Sequence, residues 1–138
     1  MNHLLDTCVI SEYQNKAPNE AVLSWIESQA EESLYLSILT IGEIEKGIAK
    51  LPNSKKKNEL LKWLQSLIYR FDKRILPIDL EIIRCWGNLV GTLETKGRIL
   101  PIMDSLIAAT AIDKNLTIVT RNVRDFADTG VKILNIWE

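Results

Sequence analysis

The sequence predicts an α/β fold, a three-layer α/β/α arrangement around a central, mostly parallel sheet. Three observations carry this expectation. Short apolar runs at 2–5, 33–37, 75–78, 116–119 and 131–136 have the length of strands and are bounded by capping or turn residues. The stretches between them repeat apolar residues every three or four positions, the spacing of helices with one buried face. Strands joined through helices run parallel with right-handed crossovers, which covers the sheet on both sides.

Taken in order, the first strand gives way to a short helix bearing Val9, Ile10 and Tyr13, capped from Asp6 or Thr7. Pro18 opens a second helix, with Val22, Leu23, Trp25 and Ile26 inward, ending near Ala30. Leu34-Tyr35-Leu36 is the second strand. From Thr40, Ile41, Ile44 and Ile48 share one helical stripe until Leu51-Pro52-Asn53 breaks it. The helix at 54–70 turns Leu60, Leu61, Leu64, Leu67 and Ile68 inward and pairs with its predecessor as a hairpin; Lys55-Lys56-Lys57 is its solvated start.

Asp79 caps a long helix carrying Ile82, Ile83, Trp86, Leu89, Val90 and Leu93, and Gly97 closes it. After a loop at 98–101, the Ala-rich helix at 103–114 has side chains short enough to pack close to a sheet. A strand, a helical turn at 122–126, the turn Asp128-Thr129-Gly130 and a last strand complete the chain.

The 138 residues are expected to form one domain over 1–138, large enough to bury a core without disulfides or structural metal. With 46% hydrophobic and 25% charged residues, disordered and collagen-like classes are excluded. No apolar run approaches the roughly 18 residues of a membrane span, and no signal peptide is evident, so a cytoplasmic protein is expected. Cys8 and Cys85 have no partner at ligand spacing and are expected to be buried free thiols. The lone His3 has no base or nucleophile partner and is expected to be incidental. A net charge of −1 gives no support for a broad nucleic-acid-binding surface, so such a ligand would have to meet a local basic rim. The chain has no phosphate-binding glycine loop and no nucleophile elbow. The tryptophans fall mostly on apolar stripes.

Four acids stand at strand ends or helix starts: Asp6, Glu43 and Asp125 follow strands, and Asp104 opens the Ala-rich helix. In a parallel sheet such positions share one edge, the usual place for a site. Each has a plain structural reading as well. Asp6 can cap the first helix, Thr40-Ile41-Gly42-Glu43 spells a capping box, Asp104 favours a helix start, and Asn122 can cap the turn that holds Asp125.

The set is harder to explain as caps. Three carboxylates converging to about 5 Å would repel by roughly 3 kcal/mol per pair at an effective dielectric of 20. Caps at about 1 kcal/mol each do not offset that. Either the acids stay apart or a cation neutralises them, and an all-oxygen set points to Mg²⁺, with Mn²⁺ as a substitute. Such a centre suits attack on a phosphodiester. Thr7, Thr120 and Asn122 would supply polar support, and Lys46, Arg98, Arg121 and Arg124 would contact phosphate or simply solvate the surface. Gly47, one turn beyond Glu43, keeps that helix face open or lets it pack closely. A phosphoaspartate enzyme would want a second acid two residues after Asp6, where Cys8 stands.

The motifs resemble those of the PIN-domain ribonucleases, and particularly the VapC and FitB-like toxins of type II toxin–antitoxin pairs. Leu5-Asp6-Thr7-Cys8-Val9-Ile10-Ser11-Glu12 is similar to the family's opening LDTNVISE. The segments 36–47, 103–111 and 119–126 are similar to its second, third and last motifs. The resemblance implies a PIN-like domain, a Mg²⁺-dependent endoribonuclease, and neutralisation by a cognate antitoxin. It implies Asp6, Glu43 and Asp104 as catalytic, metal-binding acids and Asp125 as the fourth, although some relatives carry an acid where this chain has Asn122. Thr7, Thr120, Asn122 and Arg121 become residues that support the acids or position substrate. The resemblance further implies a homodimer, contact with operator DNA only through the antitoxin, and antitoxin binding by the helices around Trp25, 41–51 and 60–68. The alternative is a catalytically weak antitoxin-binding module that regulates operator binding.

Overall fold

Successive side chains on a strand face opposite ways, and here that alternation sorts the apolar residues into two cores. The computed structural model describes residues 1–137. Its elements are β1 (His3–Leu5), α1 (Thr7–Ser11), α2 (Glu20–Ser28), β2 (Leu34–Ser37), α3 (Ile38–Ala49) and α4 (Lys55–Phe71), then β3 (Ile75–Leu76), α5 (Leu80–Thr95), α6 (Ile102–Lys114), β4 (Thr117–Val119), α7 (Val123–Phe126) and β5 (Ile133–Leu134). Leu5, Leu36 and Val119 face a core completed by Val9 and Ile10 of α1, Val22 and Ile26 of α2, Ile44 and Ile48 of α3, and Leu64, Leu67 and Phe71 of α4. Their strand neighbours Leu4 and Ile118 face the other way, onto Ile107, Ala108 and Ala111 of α6 and Phe126 of α7. The result is a sheet between two helical layers, as the sequence predicts.

The strand order is β3-β2-β1-β4-β5, and every pairing is parallel. The chain builds outward from β1 through β2 to β3, then returns across the sheet to place β4 on the free side of β1. The direction of winding therefore reverses between β1 and β4. Loops leaving the C-terminal ends of two such strands diverge to opposite faces, and a crevice opens between them.

Several boundaries differ from expectation. Ser37, at the end of β2, is itself the cap of α3, its Oγ accepting the Leu39 N–H at 3.1 Å. The helix therefore begins before Thr40, and no capping box forms there: Thr40 and Glu43 lie within the helix. Ser37→Ala should lower stability by about 1 kcal/mol, measured by urea unfolding, as loss of an N-cap does. Asn19, whose side chain accepts from the Val22 N–H at 3.2 Å, starts α2 two residues beyond Pro18. Asp79 caps α5 as expected, accepting from Ile82 at 2.8 Å.

Gly97 follows α5 with φ of 79°, and Asn115 ends α6 in the left-handed region with φ of 56°. The outer strands β3 and β5 keep only two residues each. Leu61 and Ile83, expected inward, are exposed because each sits a step around its helix from the buried stripe. Lys57 is more than a solvated start: its Nζ donates to the Leu51 carbonyl at 3.0 Å, tying α4 to the end of α3. Both cysteines are half-buried rather than buried. Among the described residues no helix is long and apolar enough to cross a membrane.

Candidate active site

Asp6 is the residue immediately after β1, and the parallel register that pairs Leu5 with Val119 sets Thr120 beside it. The backbone continues the pairing, with the Asp6 N–H donating to the Val119 carbonyl at 3.0 Å. Thr120 Oγ1 donates to Asp6 Oδ2 at 2.8 Å, and Asp6 Oδ1 accepts the Thr7 N–H at 2.9 Å. Asp6 is only 8% exposed, so both oxygens of a nearly buried carboxylate are held by fixed donors. It caps α1 at the crevice, so a capping role and a place at the candidate site are not exclusive.

The same turn draws in Glu43. Thr7 Oγ1 donates to Glu43 Oε1 at 2.9 Å, across 36 residues of sequence. With α3 starting at Ile38, Glu43 has no capping partner to explain it. Asp104 lies in the first turn of α6, whose cap position is Pro101 with no side-chain cap bond. Burial, followed by the charges of Asp125, Asp6 and Glu43, raises the Asp104 carboxyl to about 6. All four predicted acids therefore bear on one neighbourhood, and Asp125 contributes more at Asp104 than either of the other two.

Among the described residues, no three Asp, Glu, His or Cys side chains stand close enough together to ligate an ion as they are. The oxygens of Asp6 and one of Glu43 are turned to hydroxyl and amide donors instead. Like charges separate when nothing neutralises them. The group nevertheless fits a hard divalent cation, since every member is a carboxylate and burial, with the neighbouring acids, raises the Asp104 carboxyl.

Around the acids, Asn122 occupies the cap position of α7 without a side-chain cap bond, and its backbone N–H donates to Thr120 Oγ1 at 3.0 Å. Thr120 is thus oriented as it donates to Asp6. Cys8 Sγ lies 3.9 Å from Asp6 Oδ2 and 3.6 Å from Thr120 Oγ1, and burial pushes its thiol up. The basic residues divide. Arg98 is paired with Asp128 at 3.0 Å at the surface. Arg121 stacks its guanidinium 5.2 Å from the Trp137 ring centroid. Lys46 and Arg124 are exposed, with no ion-pair partner among the described residues. His3 is buried at the far end of β1 against Trp25, and burial holds it below its ordinary value.

Two supporting residues escape a reading of the sequence. Glu12 is 5% exposed and accepts the Asn19 N–H at 2.7 Å, a bond that lowers its pKa and joins α1's end to the start of α2. An acid one turn beyond Val9 on a buried helix is the only signal it leaves. Trp86 donates through Nε1 to Ser105 Oγ at 2.9 Å, fixing the turn that carries Asp104. Its place on an apolar stripe hides that bond.

Residues 3–132 match the PIN domain family. The toxin FitB of Neisseria gonorrhoeae is 40% identical over 97% of both chains. The plasmid stability protein StbB of Pseudomonas syringae pv. tomato is 38% identical over 98% of both, and the VapC ribonuclease Y4jK of Sinorhizobium fredii is 36% identical over 98% of this chain and 97% of its own. The crystal structure of FitAcB from Neisseria gonorrhoeae covers 98% of this chain and 98% of its own at a TM-score of 0.92 and 40% identity. A structure of FitAB bound to a DNA fragment has the same TM-score at 38% identity, covering 98% of this chain and 95% of its own. Matched by the family model over residues 3–132 and by relatives over almost its whole length, this chain belongs to the PIN domain family, among relatives named as VapC ribonucleases and FitB toxin.

Proposed function

We propose that the protein is a Mg²⁺-dependent endoribonuclease, the toxin of a type II toxin–antitoxin pair. The observation that carries this is the crevice between β1 and β4, where Asp6, Glu43 and Asp125 bear electrostatically on a half-buried Asp104. These four acids would hold the ion. When bound, it supplies an acidified water and stabilises charge on the phosphodiester under attack. Thr120 and the Thr7 amide hold Asp6 so that its carboxylate needs no reorganisation, and the Thr7 hydroxyl orients Glu43. Asp125 takes the fourth acidic role in this reading, with Asn122 acting through its backbone bond to Thr120.

Thr120→Val should lower RNA cleavage by about 10–100-fold, the usual effect of losing a residue that orients a metal ligand. Circular dichroism should report a folded protein, since the isosteric change removes one hydroxyl. A cleavage rate equal to wild type would remove Thr120 from the machinery.

The antitoxin partner is supported by relatives described in complexes, including FitAB and VapBC2 from Rickettsia felis, each with DNA. The chain's net charge of −1 supports operator contact through the antitoxin rather than directly. An apolar cavity of about 160 Å³, lined by Ile10, Tyr13, Ile26, Trp63 and Phe71, lies beside α2 and α4. Trp63 also lines a groove of about 220 Å³ that reaches Glu43, so an apolar segment of an antitoxin seated there would cover the approach to the acids. Ile99 and Ile102, both largely exposed, favour a homodimer that covers them.

The test is purified protein with Mg²⁺ against total cellular RNA, with and without chelator, mapping the cut ends. Discrete metal-dependent cuts are expected. Intact RNA at every metal tried, from a protein that also binds no Mn²⁺, would leave the antitoxin-binding module as the better reading.

A further inference from the structure

On the face of α3 beside Glu43 lies an open groove of about 500 Å³ lined by Gly42, Glu43, Lys46, Gly47, Lys50 and Met103. Its two glycines are inside a helix, where glycine lowers helix stability. A common reason for such glycines is close packing, but a Cβ built on Gly42 or Gly47 meets nothing within 4 Å. The chain's own fold does not require them. What they do is keep one side of the helix bare, beside a candidate catalytic acid.

The two lysines in the groove are four residues apart, so they stand one above the other on the same helix face, with Cβ atoms about 5–6 Å apart. Neither forms an ion pair among the described residues. Lys46 follows Glu43 by three residues, so Glu43, Lys46 and Lys50 make a line that leads from the acid cluster outward along α3. A bare backbone face flanked by a row of free cations suits a polyanion with regularly spaced charges and a bulky chain. An apolar protein segment would gain little from the lysines.

We propose that this groove is the track of a single-stranded RNA, with Lys46 and Lys50 contacting successive phosphates and Gly42 and Gly47 admitting the sugar–phosphate chain. The strand is led along α3 to the acids. This deepens the ribonuclease reading and rests on it.

The experiment uses the full chain carrying Asp104→Asn to prevent cutting, with a fluorescein-labelled single-stranded RNA of mixed sequence as probe, and anisotropy titrations at several salt concentrations. Each phosphate neutralised on a single strand contributes about 0.7 to the slope of log affinity against log salt. Lys46→Gln with Lys50→Gln should therefore reduce the slope by about 1.4, so that a fourfold rise in salt weakens the variant about sevenfold less than its parent. In the cleaving background, Gly47→Ala should raise the melting temperature, because alanine favours helix and finds open space, while Gly47→Leu should raise KM severalfold with little change in kcat.

An unchanged salt slope in the double lysine variant overturns the track. So does a Gly47→Leu protein that folds and cleaves with wild-type KM. If the double lysine variant keeps its RNA slope but loses self-association in sedimentation, the groove belongs to a second copy and the track is likewise overturned. The ribonuclease reading fails separately: the wild-type chain would cut no RNA with any divalent metal, whatever the lysine variants did to binding.

Discussion

Asp104→Asn should abolish RNA cleavage, with a loss of more than the roughly 100-fold that a change behind a metal ligand produces, and should raise the melting temperature of the metal-free protein. Both effects have one cause. Asp104 is half-buried among Asp125, Asp6 and Glu43, and an uncharged amide of the same shape removes that repulsion together with the ligand. Glu43→Gln should behave alike in activity. Asp6→Asn should differ in stability, because both Asp6 oxygens accept hydrogen bonds and an amide keeps only one acceptor. A penalty of about 1–3 kcal/mol is expected for the donor left unpaired. Rates measured on labelled RNA with melting curves of each variant give both readings, and a folded Asp104→Asn protein that cleaves at the wild-type rate would end the metal-site proposal. Asp125→Asn and Asn122→Ala compared in the same assay should show the larger loss at Asp125.

Metal affinity should depend on pH, with the break near pH 6. The Asp104 carboxyl sits at about 6 in the folded chain against an ordinary 3.8. Between those values the folded state holds a proton that the unfolded state has lost. By linkage, the stability contributed at Asp104 is greatest in acid, falls as pH rises through that window, and stays low above it. A cation must displace the same proton, so its affinity should fall about tenfold per pH unit below 6 and level off above. At pH 7.5, Mn²⁺ at a hundred times its dissociation constant should add about 2.7 kcal/mol of stability. Calorimetric titration between pH 5 and 8 measures the slope. Affinity that is flat across this range, or Mn²⁺ stabilisation that survives Asp104→Asn undiminished, would count against Asp104 as a ligand.

The candidate acids stand out in the sequence because Asp6, Glu43 and Asp125 follow strands and Asp104 opens a helix. Asp6, Glu43, Asp104 and Asp125 can each be picked out from neighbouring residues alone. Other parts were misread for reasons equally local. Thr40 to Glu43 has the spelling of a capping box, but Ser37 accepts the helix amide first, so the helix starts earlier and Glu43 is left free of capping duty. Arg98, readable as a phosphate contact or a solvated surface residue, is paired at the surface with Asp128, a partner 30 residues away that no local pattern reveals. Glu12 gave no sign of burial, since what covers it comes from Asn19 and the segments packed around it.

Periodicity and capping depend on residues a turn apart, so the sequence by itself determined the order of helices and strands and the two-sided sheet, and it singled out the candidate acids. Strand order depends on which apolar faces are buried against which, and on the handedness of crossovers spanning most of the chain. Only the tertiary structure decided that β4 lies against β1. That neighbour relation sets Thr120 on Asp6 across 114 residues and opens the crevice beside Asp6.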